Sequence, residues 1–469
     1  MAFSVRKAPG RGVSFIDKYP YGKAPFALLV IAIVSVGLRV GTARRHDARP
    51  DLVVATHTDS HFDAYRKAIP RFEREHGVKV QLQLVNWASL QARLQNSLLA
   101  GVETPDLAEL FEGAMGYFTR GPVEDFGVMD LTDRLKRDGL YDRMVESRFS
   151  LWQARGRIYA LPHDVHPVML AYRTDLVAKL GIDVSQLDTW DKFVEAGQRI
   201  SRDVDGDGVI DHYMIDLRFD GNWGLSTLMF QRGGQFFDEQ GNVAFATEDV
   251  AELMRWYILQ TRGPNKIAYD CGWGQPVAKA MIDGLVVFQW APDWRTWTFQ
   301  DEVPSLKGKL ALMPMPAWKP GGRRTSVWGG TGLMIMKATK NPDLAWELAK
   351  FLYFDTPELG KRFQETNIVP VLKDAWNLPE FERPNPYWSN QPIGKMFAAL
   401  APETPAVYSS PVDAQARTNM YEAFAHAADH YAKHGEAGLM ETIRAHLAKA
   451  AEDTRRYADR EHKLRTGRL

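Results

Sequence analysis

The sequence predicts an α/β protein of more than one domain, with mostly parallel sheets. Three observations predict it. The chain has 469 residues, more than one ordinary hydrophobic core accommodates. Apolar residues make up 45% and charged residues 25%, the balance of a folded, soluble protein. Short apolar runs alternate with segments of helical period, which is how βαβ units read.

The first element is a targeting or anchoring segment. Arg6, Lys7, Arg11, Lys18 and Lys23 precede an unbroken run from Ala24 to Leu38. Basic residues before an apolar run mark the side kept in the cytoplasm. Ser35-Val36-Gly37 offers a small-x-small cleavage site, but Arg39, Arg44 and Arg45 follow it directly. The expectation is an uncleaved inner-membrane anchor, with a cleaved signal peptide as the alternative. Either way the bulk of the chain lies outside the inner membrane. Residues 39–50 are basic and polar and read as a linker.

Leu52-Val53-Val54-Ala55 suits a buried parallel strand. A helix is predicted from Phe62 to His76, kinked at Pro70 and ended by Gly77. Val78, Val80, Leu82 and Leu84 alternate with polar residues, the period of a half-buried strand. Trp87, Leu90, Leu94 and Leu98 recur at helical spacing. Tyr213–Leu217 and Leu285–Phe288 read as further strands. Near the C-terminus Met440, Ile443, Leu447 and Ala450 form an apolar stripe, and beyond Arg455 the strongly charged chain is expected to fray.

Formal net charge is zero, so no basic field draws the protein to nucleic acid. The single cysteine, Cys271, excludes an internal disulfide and a cysteine zinc cluster, and reads as a buried inert thiol. No cysteine follows the N-terminal run to carry a lipid. Fourteen tryptophans suit either a large core or a protein that handles flat apolar ligand faces.

The stretch Gly156-Arg157-Ile158-Tyr159-Ala160-Leu161-Pro162-His163-Asp164 is the most informative. It is followed by Ala171-Tyr172-Arg173-Thr174-Asp175-Leu176 and by Thr189-Trp190-Asp191-Lys192-Phe193. Together with Pro105–Leu110, the Gly233–Asn242 segment, Trp328-Gly329-Gly330-Thr331-Gly332 and Val369-Pro370-Val371, this order of segments resembles extracellular solute-binding protein family 1. These are the capture subunits of ABC-type importers, mostly for sugars.

The resemblance implies a class II periplasmic-binding-protein-like fold: two α/β lobes, three inter-lobe crossovers and a central cleft. Residues 1–50 would precede the lobes. One lobe would hold 51–164 plus 331–368, the other 165–330 plus 369–469. The chain would work as a monomer without catalysis or a required cofactor, passing a sugar or oligosaccharide to a membrane permease. By position the ligand residues would be His57, Asp59, Ser60, Glu112, Gly113, Asp164, Gln289, Trp290, Asp293, Trp328, Gly329 and Gly330. Carboxylates and amides hold hydroxyl pairs, and indole faces stack on the apolar face of a sugar ring.

Other chemistries were weighed. Asp203-Val204-Asp205-Gly206-Asp207-Gly208-Val209-Ile210-Asp211 carries the spacing of a calcium loop, with Asp203, Asp205, Asp207, the Val209 carbonyl and Asp211 as ligands of a structural ion. Met214 stands where that loop needs a carboxylate, and a polar turn is the alternative. A glycoside hydrolase would need two carboxylates across one bond, for which Glu112 and Asp164 are candidates. A non-sugar receptor remains a third reading, and His57, His61 and His163 would be its metal-binding variant.

Overall fold

The computed structural model describes residues 27–35 and 49–466. Residues 27–35 are helical and exposed, and belong to a unit that ends at Asp51. No helix among the described residues is long and apolar enough to cross a membrane. Both ends of the expected 24–38 run, its cleavage site and most of the linker lie outside the described residues. Everything that follows concerns the second unit, Leu52 onward.

Twelve strands form two five-stranded sheets and one small ribbon. They are β1 (Leu52–Thr56), β2 (Val80–Leu84), β3 (Leu107–Phe111), β4 (Gln153–Ala154), β5 (Arg157–Ile158), β6 (Leu161–Pro162) and β7 (Val168–Arg173). After these come β8 (Tyr213–Asp216), β9 (Ala268–Tyr269), β10 (Val286–Pro292), β11 (Leu310–Pro314) and β12 (Thr331–Ile335). The first sheet has the order β2-β1-β3-β12-β6 and the second β11-β7-β10-β8-β9. β1 pairs in parallel with β2 and β3, while β12 runs antiparallel to β3 and β6. β12 therefore joins the first sheet only after the whole second sheet has been built. The result is the expected two-lobe α/β fold.

Local sequence explains most elements. Leu52 and Val54 are wholly buried in β1, whereas β2, at the sheet edge, is only half-buried, as its alternation requires. The first helix spans Asp59–His76, three residues earlier than the apolar pattern suggests, and Gly77 ends it at φ +67°. Asn86 caps the Trp87–Ala100 helix by accepting from the amides of Ala88 and Ser89. The buried stripe of that helix starts at Leu90; Trp87 is 54% exposed. The C-terminal helices Asp413–His434 and Leu439–Thr466 form a hairpin against Glu248–Arg262. The last one is helical to Thr466, past Arg455 where fraying was expected, and i,i+4 pairs such as Lys449–Asp453 and Arg456–Glu452 line its charged face up to that point. Before these helices the chain from Leu372 to Val412 touches both sheets' surroundings: Met144 bridges Leu372, the Leu312 amide donates to Gln391, and the Val407 amide donates to Ser150.

Three extended segments cross between the sheets side by side, through His163–Val168, Ser326–Thr331 and Asn367–Val371. Backbone bonds tie them: His163 N to Thr331 O at 2.8 Å, Val165 N to Val369 O at 3.0 Å, and Val168 N to Ser326 O at 3.3 Å. Side chains add a second layer. His166 lies between two carboxylates, Nδ1 at 2.6 Å from Asp293 and Nε2 at 3.1 Å from Asp164. Asp164 also accepts from the Thr331 amide, and Asp293 from the Val369 amide at 2.7 Å. One imidazole thus connects all three crossing segments. The glycines of the second segment serve different ends. Gly329 sits at φ +101°, a backbone that side chains avoid, while a Cβ on Gly330 or Gly332 would strike Arg148 or Trp152 at 2.8 or 2.5 Å.

Burial disfavours charge on His166, but Asp164 and Asp293 outweigh it and raise its pKa to about 10. Burial likewise opposes ionisation of Asp164, yet His166 and His163 hold its carboxyl well below the usual range. His163 is the reverse case: burial and the neighbouring His61 lower its pKa to about 3. A raised folded pKa gives stability that is complete below the unfolded value of 6.5 and lost as pH climbs to about 10. A lowered histidine loses stability as pH falls from 6.5 toward 3, since the unfolded chain takes the proton first. Melting temperature should therefore fall on both sides of a near-neutral plateau. His166→Asn keeps a residue that tolerates its φ of +55°. It should cost about 3–5 kcal/mol of unfolding free energy and flatten the alkaline limb, because two buried carboxylates lose their cation. An unchanged pH–melting profile would show that the imidazole carries no charge.

A candidate ligand site between the lobes

A cleft with a cavity volume of about 1030 Å³ opens at the C-terminal ends of the parallel strands, where open α/β sheets place ligands. From the first lobe come His57, Thr58, Asp59 and Ser60, on the turn from β1 into its helix, and Phe111 at the end of β3. From the second come Asp216, Trp223, Trp273, Trp290, Trp294, Arg295 and Trp297. The crossing segments supply His166, Trp328, Gly329 and Gly330.

Aromatic rings form a continuous wall. Trp87, at the outer edge of the first lobe, lies 6.3 Å from Phe111, which lies 6.2 Å from Trp223. Trp223 stands 6.2 Å from Trp328 with the planes 18° apart, and Trp328 is 6.4 Å from Trp273. Trp273 is 58% exposed, so both ends of the wall reach solvent. The Trp294 indole N–H donates to the Trp328 carbonyl at 3.1 Å, and the Trp290 indole N–H to the Asp216 carbonyl at 2.9 Å. These bonds fix the rings before any ligand arrives.

Of the residues expected by position, His57, Asp59, Ser60, Trp290, Trp328, Gly329 and Gly330 line the cleft. Five take other places. Asp164 and Asp293 are buried in the His166 cluster. Gln289 is buried, with its amide nitrogen on the Cys271 sulfur at 3.7 Å. Glu112 lies outside the lining, where burial raises its pKa against the pull of Arg417 and Arg148, and Gly113 packs against Asp413. Trp223, Trp273, Asp216, Arg218 and Arg295 line the cleft without having been expected there. Asp220-Gly221-Asn222-Trp223-Gly224 carried a usable signal, since a tryptophan inside a polar turn has little reason to be core.

Trp223 is the centre of a γ-turn of the rare positive-φ kind. Its φ and ψ are 61° and −48°, and the Gly224 amide bonds the Asn222 carbonyl at 2.7 Å. Such strain persists only where surrounding structure imposes it, and it clusters at ligand clamps.

Two groups bring possible metal ligands together. Asp203, Asp205 and Asp211 bring carboxylate oxygens within 4.8 Å of one another at the surface. Asp207 is not in that group, and Met214 is buried in β8. The loop is folded on itself: Asp203 accepts from the Gly206 and Gly208 amides, and Asp211 from Val204. Under the first sheet, His61, Glu109 and His163 also meet. There Glu109 already accepts from Thr56, Tyr65, His61 and Tyr353, and both His163 nitrogens are engaged, by Asp164 and Arg362. No lone pair on Glu109 or His163 is left for a metal, so this cluster is a satisfied polar core.

Because φ at Trp223 is positive, Trp223→Gly should melt above Trp223→Ala, the reverse of the usual order. Both should weaken ligand binding by about 1–3 kcal/mol. The ordinary order of melting temperatures would show that the turn is relaxed.

Residues 55–357, well over half of the chain, match the family of bacterial extracellular solute-binding proteins. The chain is 26% identical over 345 residues to the arabinooligosaccharide-binding protein of Halalkalibacterium halodurans, covering 72% of this chain and 75% of that one. It also superposes on a crystal structure of an extracellular solute-binding protein family 1 member, with TM-score 0.70 and 20% identity over 85% of this chain and 99% of the other. With the ABC transporter associated binding protein of B. animalis subsp. lactis Bl-04, in complex with β-1,6-galactobiose, the TM-score is 0.64 at 19% identity over 87% and 98%. The family match, the two-lobe topology and a cleft walled from both lobes agree: this chain belongs to the bacterial extracellular solute-binding proteins.

Proposed function

We propose that this protein is the substrate-binding component of an ABC-type importer and that it captures an oligosaccharide. The observation that carries this reading is the aromatic wall from Trp87 through Phe111, Trp223 and Trp328 to Trp273. Its length and its open ends suit several linked rings with one apolar face, and polar groups from both lobes can meet the hydroxyls. The names of the arabinooligosaccharide-binding relative and of the galactobiose complex support the same class.

The lobes, taken as 51–164 with 331–368 and 165–330 with 369–469, would close about the three crossing segments. A ligand drives closure only through the difference between its affinities for the open and closed forms. A site split between lobes supplies that difference, since the full set of contacts exists only when closed. The closed surface would then engage the permease. Residues 24–38 would hold the receptor beside it and raise its local concentration. Glycoside hydrolysis is disfavoured because Asp164, one of its two candidate carboxylates, is bonded to His163, His166 and Thr331, and Glu112 lies outside the cleft lining.

A thermal-shift panel of mono- and oligosaccharides should raise the melting temperature with oligosaccharides, without turnover. Scattering at saturation should show a smaller radius. A panel with no hit would sink the carbohydrate reading, and an unchanged radius would sink closure.

We also propose a structural calcium ion at Asp203, Asp205, Asp207, the Val209 carbonyl and Asp211. Exposed carboxylates this close repel one another, and a hard cation would relieve that. Calorimetry on chelator-treated protein should then show one calcium site. Asp203→Asn should abolish it while leaving sugar binding intact. No heat of binding would leave the loop as a self-bonded turn.

A further inference from the structure

β8 and β10 are parallel neighbours, with Phe288 opposite Ile215, so their C-terminal ends open at the same edge of the second sheet. Asp216 is the last residue of β8. Arg295 lies in the first turn of the Asp293–Glu302 helix, which follows β10 directly. Both line the cleft, and they are only 5% and 4% exposed.

Their bonds are few. One oxygen of Asp216 accepts from the Cys271 amide at 3.0 Å. The Arg295 guanidinium has five N–H donors, of which Nη1 bonds the Trp290 carbonyl at 3.1 Å. The Cys271 thiol also bonds the Asp216 carboxylate. Among the described residues no other hydrogen bond engages the Arg295 guanidinium, and no ion pair joins the two. They nevertheless sense each other. Burial raises the Asp216 pKa and lowers that of Arg295, and in each case the other residue gives the largest opposing effect. Aromatic faces pin the guanidinium, with Trp273 at 5.1 Å and Trp328 at 5.9 Å from its carbon.

A buried carboxylate and a buried guanidinium that fall short of contact are costly. Nothing on their own elements completes them, and they lie at the foot of the wall on which a ring would rest. On the carbohydrate reading above, we propose that Asp216 and Arg295 are the specificity-determining pair of the site, closed by a vicinal diol of a neutral sugar. One hydroxyl donates to the carboxylate and its neighbour accepts from the guanidinium. The geometry selects against acidic sugars, because a ligand carboxylate placed on Arg295 would also face Asp216.

The test uses the full chain with arabinotriose, galactobiose, maltotriose and an oligogalacturonate as ligands. For the neutral sugar that binds the parent, Asp216→Asn and Arg295→Gln should each weaken binding about 10- to 100-fold. The double variant should lose little more than the worse single one, since one diol is held by both. Arg295→Lys keeps the charge but not the fork, and should fall between the parent and Arg295→Gln. Without ligand the double variant should melt at or above the parent, because two charges held in a largely dry site with no ion pair between them have been removed; a marked drop would mean that the pair is structural, and would overturn the proposal. Unchanged affinity in the single variants would overturn it too, while leaving the carbohydrate reading intact. Oligogalacturonate binding as tightly as the neutral sugars would overturn the selection against acid. If none of the four binds the parent, the carbohydrate reading fails and the diol with it.

Discussion

The imidazole of His166, held between Asp164 and Asp293, is the interaction on which the rest depends. A two-lobe receptor must join its halves by more than one segment, or the lobes would swing without register. It must also leave those segments free of bulky packing, or they could not bend. Here the three segments pair through a few backbone bonds, and one buried cation ties them across. The ionic contacts are short and directional, but they join side chains, so the backbones keep room to rotate. Gly329 permits the close approach of His166, which lies 3.1 Å from where a side chain would begin.

The same cluster shapes the cleft. His166 lines it, and Asp293 begins the helix that carries Trp294, Arg295 and Trp297 into it. Trp294 in turn bonds the carbonyl of Trp328, on the second crossing segment. The crossing segments and the aromatic wall are therefore joined through side-chain bonds without a loop between them. On the proposed function, ligand binding and lobe closure would act on one set of groups.

Polar groups sort by how completely their neighbours satisfy them. Glu109, wholly buried, takes four donors and is finished as a core residue. Asp164 and Asp293 are finished by His166 and by backbone amides. Asp216 and Arg295, also buried, have fewer partners: the Cys271 amide and thiol for one, a single backbone carbonyl for the other. Residue type does not separate these cases, since all five are charged side chains on or beside strands. Only the count of partners does.

Much of the architecture was legible in the sequence. The apolar run at β1, the alternation at β2 and the stripe ending at Ala450 each follow from a periodicity that neighbouring residues set between them. The order of short segments from Gly156 to Val371 was enough to place the crossings. Which residues face the ligand was only half legible. His57 lies just after β1 and Trp328 just before β12, so position located them. The fates of Asp164 and Asp293 depend on His166, which is 127 residues from Asp293, and no local pattern encodes that meeting. Trp223 and Arg295 reach the cleft through a strained turn and through the parallel register of β8 and β10. The chain by itself determined the elements and their order, because periodicity and turn chemistry act over a few residues. Tertiary structure alone decided which charges are satisfied within the protein and which keep few partners, because that depends on groups brought from far along the chain.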